Sequence, residues 1–211
     1  RADPEAEVLF TQNTAYSIDM TDHGIAAASS LMNALRATYD ASIAVGYSPL
    51  VSTSIYCGEY SKQQILWVMA GNYAVSQGEY TGAELRQMME WLVNVKDNGA
   101  NPIRHRNYMP VTSGMEYKVT EYEQGKFRLE ELTINGAPLD DTATYTVFVA
   151  GTDVWIENEV YCNCPMPENL KAKRTEYAIE GAESRSCLKD SLAVSKQFPA
   201  PSEYLTIVQG E

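Results

Sequence analysis

Histidine is almost missing from this chain: two residues, His23 and His105, in 211. The four cysteines, Cys57, Cys162, Cys164 and Cys187, include a Cys-x-Cys but no Cys-x-x-Cys. Together these make a zinc site a poor reading. Basic residues are also short, 16 Lys and Arg against 28 Asp and Glu, for a formal charge of −12. No basic run exceeds the pair Lys173-Arg174, so the sequence offers no face for nucleic acid. No apolar run approaches the ~20 residues that span a membrane. No signal peptide is visible at Arg1, and the first residue is not Met, which reads as a mature or trimmed fragment.

What is present fits one soluble globular domain. The early Pro4 and the acids Asp3, Glu5 and Glu7 suggest a helix start. "GIAAASSLMNALRATY" carries Ile25, Ala28, Leu31, Met32 and Leu35 at helical spacing. "ASIAVGYSPLV" predicts a buried strand that breaks at Gly46, and Ser61 offers a cap for the apolar run after it. In "TGAELRQMMEWLV", Thr81 and Glu84 form a T-x-x-E capping box before the stripe Leu85, Met88, Met89, Leu92. The second half predicts a hairpin turning at Gln124-Gly125, then an Asn135-Gly136 turn and a returning strand. "CNCPMPENLKAKR" reads as a loop. A short helix over Cys187 to Lys196 and a strand at "YLTIV" close the chain. The fold class is α/β (α+β), with mixed or antiparallel sheets.

Several candidate chemistries have plainer readings. "GYSPL", Gly46 to Leu50, begins like a nucleophile elbow, but Leu50 stands where the strained turn needs a small residue. Asp19, Asp22 and His23 are too few for a dinuclear metal site, and Asp22 reads as a helix cap. Asp140-Asp141 is a solvated turn pair. Arg104 to Arg106 is a solvated loop before it is an anion contact. Gly71-Asn72 is either a plain turn or a backbone that something approaches closely.

The order "IAV…GEYSKQQI…VMAGNYAVSQGEYTGAELRQMME…VTSGMEYKV…LTINGAPLDDTATYTVFV" resembles the C-terminal domain of the 5′-nucleotidase family. In that family "NGGGIR", "GEIT", "LPFGN", "TGAELK", a "SG" strand and an "NG" hairpin follow in this order. The resemblance covers about Ala28 to Tyr161. It implies a layered α-β-β-α domain over 21–211, with 1–20 left from an interdomain linker. It further implies an exported, extracellular, periplasmic or cell-surface hydrolase of nucleotide catabolism. There this domain recognises nucleoside or nucleotide, while an upstream metallophosphoesterase domain holds two divalent metals. This chain lacks the D-x-H and G-N-H-[DE] ligand motifs of that upstream domain, so no cofactor is expected in it and no hydrolysis by it alone.

The resemblance also assigns a site, much altered. Asn72 falls on the family asparagine that contacts the base, and Gly114 on the "SG" backbone contact. The two base-clamping aromatic positions fall on Ala70 and near Thr152. The arginine of "NGGGIR" falls on Ser52, its asparagine on Tyr47, and the acid of "GGDG" near Asn158. Base stacking is worth ~1–3 kcal/mol per ring, so these departures imply weak binding or altered specificity. The alternative is a binding or scaffold domain on the same fold, with Tyr47, Tyr56, Tyr60 and Tyr73 forming a different surface. If the protein is exported as the family implies, Cys162 or Cys164 is expected to pair with Cys187.

Overall fold

The computed structural model describes residues 6–47, 51–69, 71–94, 109–150 and 166–210. Two mixed sheets organise them. The first has five strands in the order β12-β6-β11-β4-β7: Ala178–Glu183, Ala74–Thr81, Thr144–Ala150, Ile43–Tyr47 and Pro110–Ser113. All neighbours are antiparallel except β11 and β4, which run parallel. The second has four strands, β10-β9-β8-β13: Ala137–Pro138, Lys126–Ile134, Glu116–Glu123 and Leu205–Gln209. Here only the β13–β8 pair is parallel. Two short antiparallel pairs complete the strands: β1 (Val8–Gln12) with β5 (Gly58–Ser61), and β2 (Met20–Thr21) with β3 (Gly24–Ile25).

Burial follows from how many faces of each strand are covered. Val147, Phe148, Val149 and Ala150 are consecutive and all buried, as are Ile43, Ala44 and Val45. A run of buried residues on a strand means both faces are packed. β8 instead buries alternate residues, Tyr117 and Val119, and leaves its other face wetter. Helix α1 (Ala26–Thr38) packs on β4, β7 and the last helix, α5 (Ser184–Ser195). Helix α2 (Lys62–Val68) lies against β5 and α5, and α4 (Glu168–Glu176) against β6. Helix α3 (Gly82–Asn94) touches β6 and β7 of one sheet and β9 of the other. The α/β class with mixed sheets flanked by helices is thus what the chain forms.

The caps expected at Ser61 and Thr81 are both present. Ser61 and Gln64 exchange side-chain and backbone bonds at the start of α2. Thr81 N–H donates to Glu84 Oε2 at 2.8 Å, and Glu84 N–H to Thr81 Oγ1 at 3.2 Å. Glu84 also receives Lys173 Nζ, at 2.6 Å. Burial pushes the Glu84 carboxyl up, but the Lys173 bond and the Thr81 donors outweigh it and hold it below the ordinary value.

Four expectations are corrected. The N-terminal segment is strand rather than helix from Val8. β1 pairs with β5, and Phe10 stacks on Tyr60 at 5.5 Å, so this segment packs into the domain. Asp22 does not cap a helix: it lies in the turn between β2 and β3, and α1 begins after Ile25 with no side-chain cap. The "CNCPMPENLKAKR" stretch ends in α4, whose single buried residue, Leu170, left no apolar period to read. Cys187 is a buried free thiol, 2.8 Å from the Tyr39 hydroxyl, rather than half of a disulfide. Cys162 and Cys164 lie outside the described residues.

Thr81→Ala should lower stability by ~0.5–2 kcal/mol, read as a denaturation midpoint, with the fold retained because the α3 stripe is buried. The Glu84 contribution is present above the carboxyl's ordinary pKa of 4.5 and is lost as pH falls through its depressed folded value. Glu84→Gln should therefore flatten the acid side of the stability profile. A wild-type profile in the variant, or an unchanged Thr81→Ala midpoint, would show that this node is idle.

Candidate functional site

Sheet register decides which candidate residues meet. β4 runs toward Tyr47, β11 toward Ala150, β6 starts at Ala74 and β7 at Pro110. The ladder pairs Tyr47 with Pro110 and Ala150 with Val75. All four ends therefore lie at one edge of the five-stranded sheet. The chain enters that edge through Gly71 and Asn72. Ser52 lies close to the same approach: Ser52 N–H donates to Val68 O at 2.8 Å and its hydroxyl to Trp67 O. Ala70, Thr152 and Asn158 lie outside the described residues.

Gly114 is not at this edge. It follows Ser113, which pairs with Ala44 near the start of β4, so about 13 Å of chain separates it from the Pro110 end. Its role there is conformational. Gly114 has φ +79°, and a Cβ would collide with the Ser42 carbonyl oxygen. Only glycine fits such a turn.

Asn72 is exposed, but both ends of its amide are engaged. Nδ2 donates to the Glu183 carboxylate, and Oδ1 accepts Arg185 N–H at 3.1 Å. Arg185 is the second residue of α5, whose first-turn amides have no partner within the helix. Asn72 thus caps α5 across 113 residues of sequence. Neighbouring bonds tie the same two segments. Tyr73 N–H donates to Ser184 Oγ at 3.1 Å, Ser184 N–H to Tyr73 O at 2.8 Å, and Arg185 Nη2 to Met69 O at 2.7 Å. Gly71 is needed beside them, because a Cβ there would collide with the Tyr73 hydroxyl. Glu183, Ser184 and Arg185 were not singled out from the sequence, and no local pattern could have found them, because their partners lie more than 100 positions away.

Of the tyrosines considered for an alternative surface, Tyr60 and Tyr73 are buried and Tyr56 is 61% exposed. Trp67, in the last turn of α2, is 62% exposed. His23 lies at the surface, 3.7 Å from Glu203. Among the described residues no group of three or more His, Cys, Asp or Glu is placed to hold a metal ion. No helix among them is long and apolar enough to cross a membrane.

A sequence model of the 5′-nucleotidase C-terminal domain matches residues 8–152. The chain belongs to that family. No curated protein matches it in sequence. In structure it is similar to the NAD nucleotidase of Haemophilus influenzae, at a TM-score of 0.73 and 12% identity, covering 99% of this chain and 39% of that one. The 5′-nucleotidase precursor of Thermus thermophilus gives 0.67 and 16%, covering 99% and 41%. The sulfate thiohydrolase of the same species gives 0.67 and 15%, covering 98% and 36%. At these identities the likeness is one of fold, and the chain spans about two-fifths of each relative's length. The fold likeness runs beyond the family match and takes in α4, β12, α5 and β13.

If Asn72 is the α5 cap, Asn72→Ala should lower stability by ~0.5–2 kcal/mol in the absence of any ligand. Chemical denaturation measures it. An unchanged midpoint would mean that the amide does not hold the helix.

Proposed function

We propose that this chain is the nucleoside- or nucleotide-recognition domain of a 5′-nucleotidase-like enzyme, with an altered site and without hydrolytic activity of its own. The observation that carries the reading is the family match over 8–152, with Asn72 and Ser52 beside one end of the five-stranded sheet. The missing D-x-H and G-N-H-[DE] motifs support assigning hydrolysis by divalent metals to an upstream metallophosphoesterase domain. Such a domain would be exported with it, to the periplasm, the cell surface or the medium.

The site would bind by shape and a few polar contacts. Ala70 and Thr152 replace aromatic rings at the clamp positions, Ser52 replaces an arginine, and Asn158 an acid. Gly114, at the far end of β7, would contribute only by keeping its own turn. Trp67, whose main-chain carbonyl accepts the Ser52 hydroxyl, carries an exposed indole. One observation favours the second reading, a binding or scaffold domain without nucleoside recognition: the Asn72 amide is already held by Glu183 and Arg185. A base edge would have to displace one of these partners.

Calorimetry separates the two readings. Wild type should bind adenosine in the millimolar range. Ala70→Phe with Thr152→Phe should tighten binding by up to ~2–6 kcal/mol if two stacks form. With AMP and Mn²⁺ or Co²⁺ the purified chain should show only background hydrolysis. A folded double variant that binds no better, or metal-dependent turnover that copurifies with the chain, would contradict the proposal.

A further inference from the structure

Helix α4 lies over β6 with little apolar anchoring. Of its nine residues only Leu170 is buried. None of the six residues of β12, which follows it, is fully buried. A cavity of about 200 Å³ lies between the helix and the sheet, with Val75 and Ser76 of β6 on one side and Lys171 and Thr175 of α4 on the other. Atoms that face such a gap have no partners on that side and lose dispersion contacts.

The ties of α4 to its surroundings gather toward its C-terminal end. Lys173 Nζ bonds Glu84 Oε2 on α3 at 2.6 Å and the Glu79 carbonyl at 3.1 Å, and lies 5.3 Å from the centre of the Tyr80 ring. The Lys173 and Glu84 side chains are 27% and 20% exposed, so solvent and salt screen the pair only in part. Four residues on, the Tyr177 ring sits over Gly78 and meets Tyr80 edge-on at 5.7 Å. Gln77 N–H donates to Tyr177 O at 3.0 Å. At the start of α4, Asn169 Nδ2 donates to Gln87 Oε1 in an exposed bond.

Past Ala178 the ladder loses step. β12 pairs Ala178 with Ser76 and Glu183 with Ala74, which is five steps on one strand for two on the other. Gly181 stands in this mismatch with φ +71°, and a Cβ there would meet nothing within 4 Å. Glycine takes such a backbone without strain. Beyond it the chain is fixed again. Ser184 N–H donates to Tyr73 O, Tyr73 N–H to Ser184 Oγ, and Arg185 Nη2 to Met69 O.

We propose that α4 and the first half of β12, Glu168 to Glu180, form a flap that opens from β6 as one unit, with Lys173 on Glu84 as its latch and Gly181 as its limit. Contiguous units with few buried apolar contacts open at a lower cost than global unfolding. Opening uncovers Gly78 and Tyr80 of β6. The Asn72 cap of α5 lies past the limit and stays closed. The flap is independent of what the sheet end recognises.

The test is native-state hydrogen exchange of the whole ¹⁵N-labelled chain, read by NMR in low concentrations of denaturant. The amides of Gln77 and Tyr177 should share one opening equilibrium, reached more often than that of the β6–β11 ladder. Ser184 should exchange with the ladder. Lys173→Met keeps an apolar stem and removes the ammonium, and should speed the Gln77 and Tyr177 amides about five- to tenfold. Asn72→Ala loosens α5 beyond Gly181, and should leave those two rates unchanged while it speeds the ladder. Gln77 and Tyr177 exchanging only with the ladder, Ser184 exchanging with them, or rates unmoved by Lys173→Met overturn the proposal. So does an Asn72→Ala variant that speeds the Gln77 and Tyr177 amides.

Discussion

β6 is the strand on which the rest of this fold depends. It pairs with β11 over seven consecutive positions, Thr144 with Thr81 through to Ala150 with Val75, and so fixes the central strand of the larger sheet. Its two ends also set two helices. Thr81, its last residue, caps α3 beside it, and Asn72, two residues before its start, caps α5 from the far part of the chain. Its outer face takes α4: Gly78 leaves room for the Tyr177 ring, which a Cβ would strike. A shift of β6 by one residue would reverse its faces and displace both caps together.

Elements with local signals were legible in the sequence. The apolar spacing in α1 and α3, the caps at Ser61 and Thr81, the Gln124-Gly125 hairpin and the Asn135-Gly136 turn all depend on residues within a few positions of each other. Asn135 and Gly136 both take the positive φ that such a turn requires, 53° and 76°. Elements whose reason is tertiary were not. β1 is a strand because β5 offers it a partner and Phe10 fits between Tyr60 and Phe198. α4 has polar residues around nearly its whole circumference and is held through Leu170 and Lys173. Neither fact is written in a local period.

The site was legible in part, for the same reason. Motif order placed Asn72, Ser52 and Gly114 on family positions, but motif order is one-dimensional. Register is what places Gly114 at the opposite end of β7 from Asn72. Hydrogen bonding is what makes Asn72 a helix cap, a role that depends on Glu183 and Arg185. Gly71-Asn72 is a bend that lets the chain meet α5 closely. The backbone at this edge is fixed by its bonds to Ser184 and Arg185, so a ligand there would meet a preformed surface.

The central claim is that the end of the five-stranded sheet where β4 and β11 finish and β6 begins carries ligand recognition, and that the Gly114 end does not. Amide chemical-shift mapping of the ¹⁵N-labelled chain titrated with AMP tests it most directly. The account predicts shifts centred on Ser52, Asn72 and the start of β6, with Ser42, Ser113 and Gly114 unmoved. Shifts centred on Gly114 and Ser42, with the Asn72 region silent, would contradict it.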